Sequence, residues 1–145
     1  MRTKLRTIAL AAVVGFMALG ADQGLAEKPP VTFHFYGAKD CPPCMAFKRD
    51  GLPVVEAAAA RLGFKVAVNV IDRTWDVATP GSYGATDAIL RRAGARMTRV
   101  YPPIFFISRS DRIVAVHDAD WRAALVSAKA EAQKDVPATG ESSAS

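Results

Sequence analysis

The chain has 145 residues, of which half are apolar and 23% are charged, and its formal net charge is +5. This length and composition are typical of one globular domain, and they exclude a largely disordered chain. No run of Lys and Arg is interleaved with aromatic residues, so we predict no nucleic-acid partner, and we interpret the arginines at positions 91, 92, 96 and 99 as a solvated helix face.

The N-terminus has the pattern of a secretory signal peptide. Three basic residues precede an almost uncharged run at residues 8–21, and small residues follow at positions 24 and 26. The run is shorter than the roughly 20 residues that span a bilayer as a helix, so we expect cleavage after Ala26 rather than a retained anchor. Cleavage leaves 16 of 19 basic and 13 of 14 acidic residues, a net charge of +3. Export implies an oxidising compartment.

The first half of the exported chain predicts a strand, a helix and a second strand. Residues 31–36 are β-branched and aromatic, as in a central strand, and residues 65–71 alternate and are rich in valine. Between them we predict helical pieces at residues 42–50 and 53–62, with Gly63 as the C-terminal cap. A helical crossover between two strands implies that the strands pair in parallel.

The second half begins with a long loop at residues 72–85, and long loops tend to be functional or mobile. The remaining predicted elements are a helix to residue 93 capped by Thr86 or Asp87, strands at residues 104–107 and 112–117, and a last helix from Asp118 or Asp120 to about residue 134. The predicted fold class is α/β, with one mixed four-stranded sheet in the order β-α-β-α-β-β-α and helices on both faces. Domain boundaries are predicted at residues 27–134, followed by a disordered tail at 135–145.

Both cysteines of the chain lie at the start of the first predicted helix, in the sequence Asp40-Cys41-Pro42-Pro43-Cys44. With two residues between them, their sulfurs can form a disulfide or lie side by side as thiols. The unpaired N–H groups and the dipole of the helix favour a thiolate at Cys41, so we predict a lowered pKa there, with Cys41 attacking and Cys44 resolving. A structural disulfide or a pair of zinc ligands are the alternatives.

Two stretches of the sequence resemble the thioredoxin family. Residues 35–44 are similar to its hydrophobic strand, small residue and Cys-x-x-Cys motif, and residues 102–114 look like its cis-proline, strand, turn and strand. The nearest resemblance is to exported bacterial thiol:disulfide oxidoreductases of the TlpA and ResA type. This implies a periplasmic enzyme with a thioredoxin-like fold. We predict a monomer that uses no cofactor and no metal.

The resemblance also implies where a substrate binds. It makes the peptide bond between Tyr101 and Pro102 cis and places Pro102 beside the cysteines, where its backbone faces a substrate strand; Pro103 is the alternative cis residue. With Pro42 and Pro43 between the cysteines, Tyr101 and Pro102 are the predicted substrate-binding residues. Tyr101 could equally be a strand-edge residue that packs on its neighbours.

The sequence departs from the family pattern near the cysteines. Phe35 stands where many thioredoxins carry a buried acid that relays the proton of the resolving thiol, and Asp40 replaces the usual tryptophan. A negative charge at Asp40 opposes a thiolate at Cys41. We interpret His34 and His117 as packed or surface residues rather than proton-transfer groups.

Pro43 matches the proline of reducing family members, and neither residue between the cysteines is histidine. We therefore predict reduction of protein disulfides by a cycle of Cys41 and Cys44, with a membrane dithiol as electron donor. The alternatives are a disulfide oxidase or isomerase of exported proteins, a Cu(I)-carrying module with the two cysteines as soft ligands, and a redox-inert adaptor.

Overall fold

A computed structural model describes residues 28–135 of the chain. The predicted signal peptide at residues 1–26 lies outside the described residues, and so does the predicted tail from residue 136 onwards. Asp135, the first residue of that predicted tail, is described and accepts hydrogen bonds from Arg109. Within residues 28–135 no helix has the length and apolar character needed to cross a membrane.

Four strands form one mixed sheet with the order β2-β1-β3-β4. The central strand β1 (Val31–Ala38) pairs in parallel with β2 (Lys65–Ile71) and antiparallel with β3 (Ile104–Arg109). The edge strand β4 (Arg112–Val116) pairs antiparallel with β3. The predicted α/β class with one mixed four-stranded sheet is confirmed, as is the parallel crossover between the first two strands.

A continuous helical segment follows β1 and carries the cysteines at its start. It consists of α1 (Pro42–Ala46), a π-helical turn (Phe47–Gly51) and α2 (Leu52–Leu62). Where a kink or a break was predicted, the Leu52 N–H bonds to the Phe47 carbonyl across the π turn, and the helix continues. The predicted cap is confirmed, since Gly63 has a φ of 74°, which glycine adopts readily.

The segment predicted as a loop at residues 72–85 is partly helical. It contains a 3-10 helix (Thr74–Ala78) and the short helix α3 (Tyr83–Thr86). Gly84 allows a close approach between them, because a Cβ there would lie 1.9 Å from the Val77 carbonyl oxygen. Ser82 also donates its hydroxyl to this carbonyl. These contacts join residues five and seven positions apart with no helical or strand period, so the periodic patterns of the sequence did not predict the two helices.

Two further helices complete the fold, and each is capped by an aspartate that was predicted for it. Asp87 accepts hydrogen bonds from two backbone N–H groups at the start of α4 (Ala88–Gly94), and Asp120 does the same for α5 (Trp121–Gln133). The helices lie on both faces of the sheet, as predicted. The alternation of β1 separates the faces, because Phe33 and Phe35 join an apolar cluster with both cysteines and α5, whereas Tyr36 packs with α3 and α4.

The sequence analysis missed a polar clamp that joins the last helix to the sheet. The Arg109 guanidinium bonds to the Glu131 carboxylate at 2.9 Å and to Asp135 at 2.9 Å, and it also donates to the Pro29 carbonyl. Lys134 contacts the second oxygen of Glu131. The side chains of Arg109 and Glu131 are only 14% and 5% exposed, so both charges depend on the partners within this clamp.

An Arg109→Met variant is expected to lower the free energy of unfolding by about 2 kcal/mol, because Glu131 remains buried with one fewer partner. Removing one member of a fully buried pair costs about 3–5 kcal/mol, and the accessible Lys134 moderates the loss here. Urea denaturation measures the change. Arg112→Met is the matched control, since Arg112 lies opposite Arg109 on β4 and is exposed. Equal stability of the two variants would show that the clamp contributes nothing.

Candidate redox site

Cys41 and Cys44 form a disulfide with an S–S distance of 2.08 Å and a Cα–Cα distance of 5.2 Å. Cys41 occupies the N-cap position of α1, and its Sγ accepts a hydrogen bond from the Cys44 N–H at 3.2 Å. Cys41 is 5% exposed, whereas Cys44 is 0% exposed. Cys41 therefore keeps a small contact with solvent that Cys44 lacks, and the division into an attacking Cys41 and a resolving Cys44 stays a prediction.

The interior behind the disulfide is apolar. Phe35 is fully buried in the same cluster as both cysteines, and its ring lies 4.6 Å from that of Phe47 and 5.3 Å from that of Phe105. Apolar surroundings of this kind disfavour a thiolate. Phe35 itself supplies no carboxylate that takes up a proton from Cys44.

Asp40 connects the cysteine turn, residues 40–44, to the segment that follows β2. Its Oδ1 accepts hydrogen bonds from the Thr74 N–H at 2.7 Å and from the Thr74 hydroxyl at 2.8 Å. The Thr74 hydroxyl is the main cause of a lowered pKa at Asp40, and the charge of Arg73 adds to it. A salt bridge joins the same two parts of the chain, since the Lys39 ammonium lies 2.5 Å from the Asp72 carboxylate. The predicted opposition between Asp40 and a Cys41 thiolate stays a prediction.

The cis peptide bond lies between Pro102 and Pro103, so the prediction of a cis bond between Tyr101 and Pro102 was wrong by one residue. Two successive X-Pro bonds look equivalent in sequence, because either can be cis. The structure distinguishes them, since Pro103 directly precedes β3 and lines one cavity together with Pro43. Pro103 is therefore the proline beside the cysteine turn. Arg99 supports the segment by donating to the carbonyls of Tyr101 and Pro102.

An exposed aromatic pair lies at the proline segment, residues 101–103. Trp75 is 78% exposed and Tyr101 is 39% exposed, and their ring centroids are 5.4 Å apart in an edge-on arrangement. Trp75 directly follows Thr74, whose N–H and hydroxyl donate hydrogen bonds to Asp40. The structure thus brings together the cysteine turn, the 3-10 helix and the proline segment, whose contacting residues are 26 to 60 positions apart in sequence and share no local pattern.

The remaining predicted residues fall into two groups. Pro42 and Pro43 are exposed between the cysteines, where a substrate could contact them. His34 points to the opposite face of the sheet, where it stacks on Phe106 at 4.4 Å and its Nε2 lies 2.8 Å from the Ser108 hydroxyl. Burial lowers the pKa of His34 to about 4. The interpretation of His34 as a packed residue is confirmed.

Side chains that commonly bind metal ions are not clustered in the part of the chain that the structure describes. Residues 28–135 contain no group of three or more His, Cys, Asp or Glu side chains placed to hold a metal ion. His117 does not join the cysteines, since its Nε2 is engaged with the Ser127 hydroxyl at 2.7 Å. A Cu(I) ion bound here would have the two cysteine sulfurs as its protein ligands.

The arrangement of strands and site identifies the fold. A central strand pairs in parallel with β2 and antiparallel with β3, a Cys-x-x-Cys disulfide opens the helix after it, and a cis proline precedes β3. The fold is thioredoxin-like. The pair of cysteines in this fold is suited to reversible dithiol–disulfide exchange.

Comparison with known proteins gives similarity to solved structures, among them three thioredoxins. No protein-family model matches the chain, and no curated protein matches it. The short form of thioredoxin f from spinach chloroplast is 18% identical over 73% of this chain and 79% of its own, with a TM-score of 0.43. The germline-specific thioredoxin Deadhead of Drosophila melanogaster is 19% identical over 74% and 83%, with a TM-score of 0.40. Fasciola hepatica thioredoxin is 19% identical over 68% and 81%, with a TM-score of 0.39.

These similarities concern the fold alone and carry no conclusion about substrate or compartment. The narrower resemblance to exported enzymes of the TlpA and ResA type therefore stays a prediction.

Proposed function

We propose that the protein is a periplasmic thiol:disulfide oxidoreductase that reduces disulfides of client proteins. The observation that supports this most strongly is the Cys41–Cys44 disulfide at a helix start, with Cys41 the less buried sulfur. A purely structural role is a weaker explanation, because a disulfide that closes so small a loop removes little entropy from the unfolded chain.

The proposed reaction is a two-step exchange. The Cys41 thiolate attacks one sulfur of a client disulfide, and the client S–S bond breaks as the Cys41–client bond forms; the released client thiolate takes up a proton. The Cys44 thiol then loses its proton and attacks the Cys41 sulfur, which releases the second client thiol. The client gains two electrons and two protons, and the enzyme is left with the disulfide that the structure contains.

The direction of exchange follows from the sequence between the cysteines and from the compartment. Pro42 and Pro43 provide no histidine to stabilise the reduced thiolate, so the dithiol form is a better reductant than in strongly oxidising relatives. In an oxidising compartment the enzyme must be recharged after each turnover, and we propose a membrane protein with its own dithiol as the electron donor. The predicted leader at residues 1–26 supports the assignment to the periplasm.

The redox potential of the cysteine pair tests the proposed direction. Equilibration with glutathione buffers, followed by alkylation of free thiols and mass spectrometry, is expected to give a value more negative than about −200 mV, on the side of thioredoxin at about −270 mV. In an insulin reduction assay, the dithiol form is expected to reduce the disulfides of insulin. A potential close to that of the strong oxidant DsbA, about −120 mV, would instead identify a disulfide oxidase.

A further inference from the structure

An apolar cleft lies on the side of the proline segment away from Pro43, and the proposed reaction makes no use of it. Its volume is about 300 Å³, and Tyr101 forms part of its wall next to the exposed ring of Trp75. The apolar side chains that line it come from the 3-10 helix, α4, the segment before β3 and the first residue of β3: Val77, Leu90, Met97, Val100, Tyr101 and Ile104.

The size of the cleft fits one large side chain. Ligand pockets for small molecules span about 300–1,000 Å³, so this cleft is at the lower limit for a whole ligand and suits a single apolar group. Val100 and Trp75 are large apolar residues that remain mostly exposed at its edge. A chain bound beside the cis proline would pass Tyr101, and Tyr101 borders both the proline segment and the cleft.

One positively charged side chain lines the cleft. Arg91 is exposed there, and its guanidinium donates to the Ala85 carbonyl at 2.6 Å. It forms no ion pair with a carboxylate among residues 28–135, whereas its neighbour Arg92 pairs with Asp111. A carboxylate supplied by another molecule would complement Arg91.

We propose that this cleft selects client polypeptides that carry a large apolar side chain and an acidic residue close to the cysteine that Cys41 attacks. The inference rests on the proposed function, and it names the class of client. The apolar side chain enters the cleft beside Tyr101 and Trp75, and the acidic residue pairs with Arg91. The aromatic pair covers the inserted group and excludes water from it.

Four synthetic peptides test the proposal. Each is closed by one disulfide between its two cysteines, and the set combines Leu or Ala with Glu or Lys at the two positions beside the first cysteine. The second-order rate constant for reduction by the dithiol form of the full chain is measured by acid quench and chromatography. Burial of the leucine is expected to give about a tenfold preference for Leu over Ala. The preference for Glu over Lys is expected to be about threefold and to vanish at high salt.

Variants locate the preference in the cleft. Gly94 lines the cleft at the end of α4, and a Cβ built there meets no atom within 4 Å, so a side chain is accepted at this position and Gly94→Leu adds apolar bulk to the lining of the cleft. It is expected to remove the Leu/Ala ratio, and Trp75→Ala to reduce it. Arg91→Gln is expected to remove the Glu/Lys ratio only. Val126→Ala and Arg61→Gln, which change exposed residues on other helices, are the matched controls and should keep both ratios.

The outcomes separate the two proposals. Glutathione disulfide is included as a substrate with no apolar group for the cleft. If the protein reduces glutathione disulfide but treats the four peptides alike, or if Gly94→Leu keeps the full Leu/Ala ratio, the cleft does not select clients. If neither glutathione disulfide nor any peptide is reduced, the proposed function itself is wrong and the inference is overturned with it.

Discussion

A Cys44→Ala variant is expected to remain covalently attached to its client through Cys41. The first step of the exchange needs only Cys41, whereas release of the client needs a second sulfur within reach, and Cys44 is the one other cysteine in the chain. Alanine suits the fully buried, apolar position of Cys44 better than serine, so the variant should fold. Non-reducing electrophoresis of cells that produce the full chain, with thiols blocked at harvest, should show adducts that dithiothreitol removes, and mass spectrometry of the released partners identifies the clients.

The control for this trap is Cys41→Ala. Cys44 has no exposed surface, so a client sulfur cannot reach it, and no adducts are expected. Both variants should lose insulin reduction completely, because each breaks the cycle. Adducts that form equally well with Cys41→Ala would assign the attack to Cys44 and overturn the proposed roles. Circular dichroism of both variants confirms that a missing adduct does not reflect a missing fold.

Much of the architecture was predictable because it depends on local patterns. The run of β-branched and aromatic residues marked β1, the aspartates marked the starts of α4 and α5, and the cysteine spacing marked the helix start. Each of these signals lies within a few residues of the structure it specifies. The two helices within residues 72–85 depend instead on the contacts that Gly84 and Ser82 make with Val77, which no period in the sequence reveals.

The candidate site was predictable only in part for the same reason. The cysteines and the proline segment were recognised from motifs, but the link from Asp40 to Thr74 and the aromatic pair of Trp75 and Tyr101 join residues that are distant in sequence. Asp40 was considered only for its charge, whereas its hydrogen bonds to Thr74 place the aromatic pair near the disulfide. The cis bond was assigned to the wrong one of two adjacent prolines, because the choice depends on packing against the cysteine turn.

The folded protein is expected to lose about 3 kcal/mol of stability between about pH 6.5 and pH 4, owing to His34. Its pKa is about 4 in the fold, where burial favours the neutral ring, and 6.5 in the unfolded chain. The unfolded chain therefore binds more protons in this window, so the contribution is complete above about pH 6.5 and falls as the pH drops towards 4. The Asp87 carboxylate partly opposes the effect of burial. Urea denaturation at a series of pH values measures the slope.

A double variant, His34→Phe with Ser108→Ala, isolates this effect. The phenyl ring keeps the stack on Phe106, and removing the hydroxyl of Ser108 together with the imidazole avoids an unsatisfied buried group at their hydrogen bond. The double variant should show a flat stability between pH 6.5 and 5.5, a window that lies above the range in which the unfolded chain begins to protonate Asp40, Asp135 and Glu131, whose pKa values are lowered in the fold. Ser108→Ala alone retains His34 and should keep the slope. An unchanged slope in the double variant would show that another group takes up the proton. If the slope is lost in the double variant and kept in Ser108→Ala, the acid sensitivity of the fold belongs to the His34 imidazole, on the face of the sheet that lacks the cysteines.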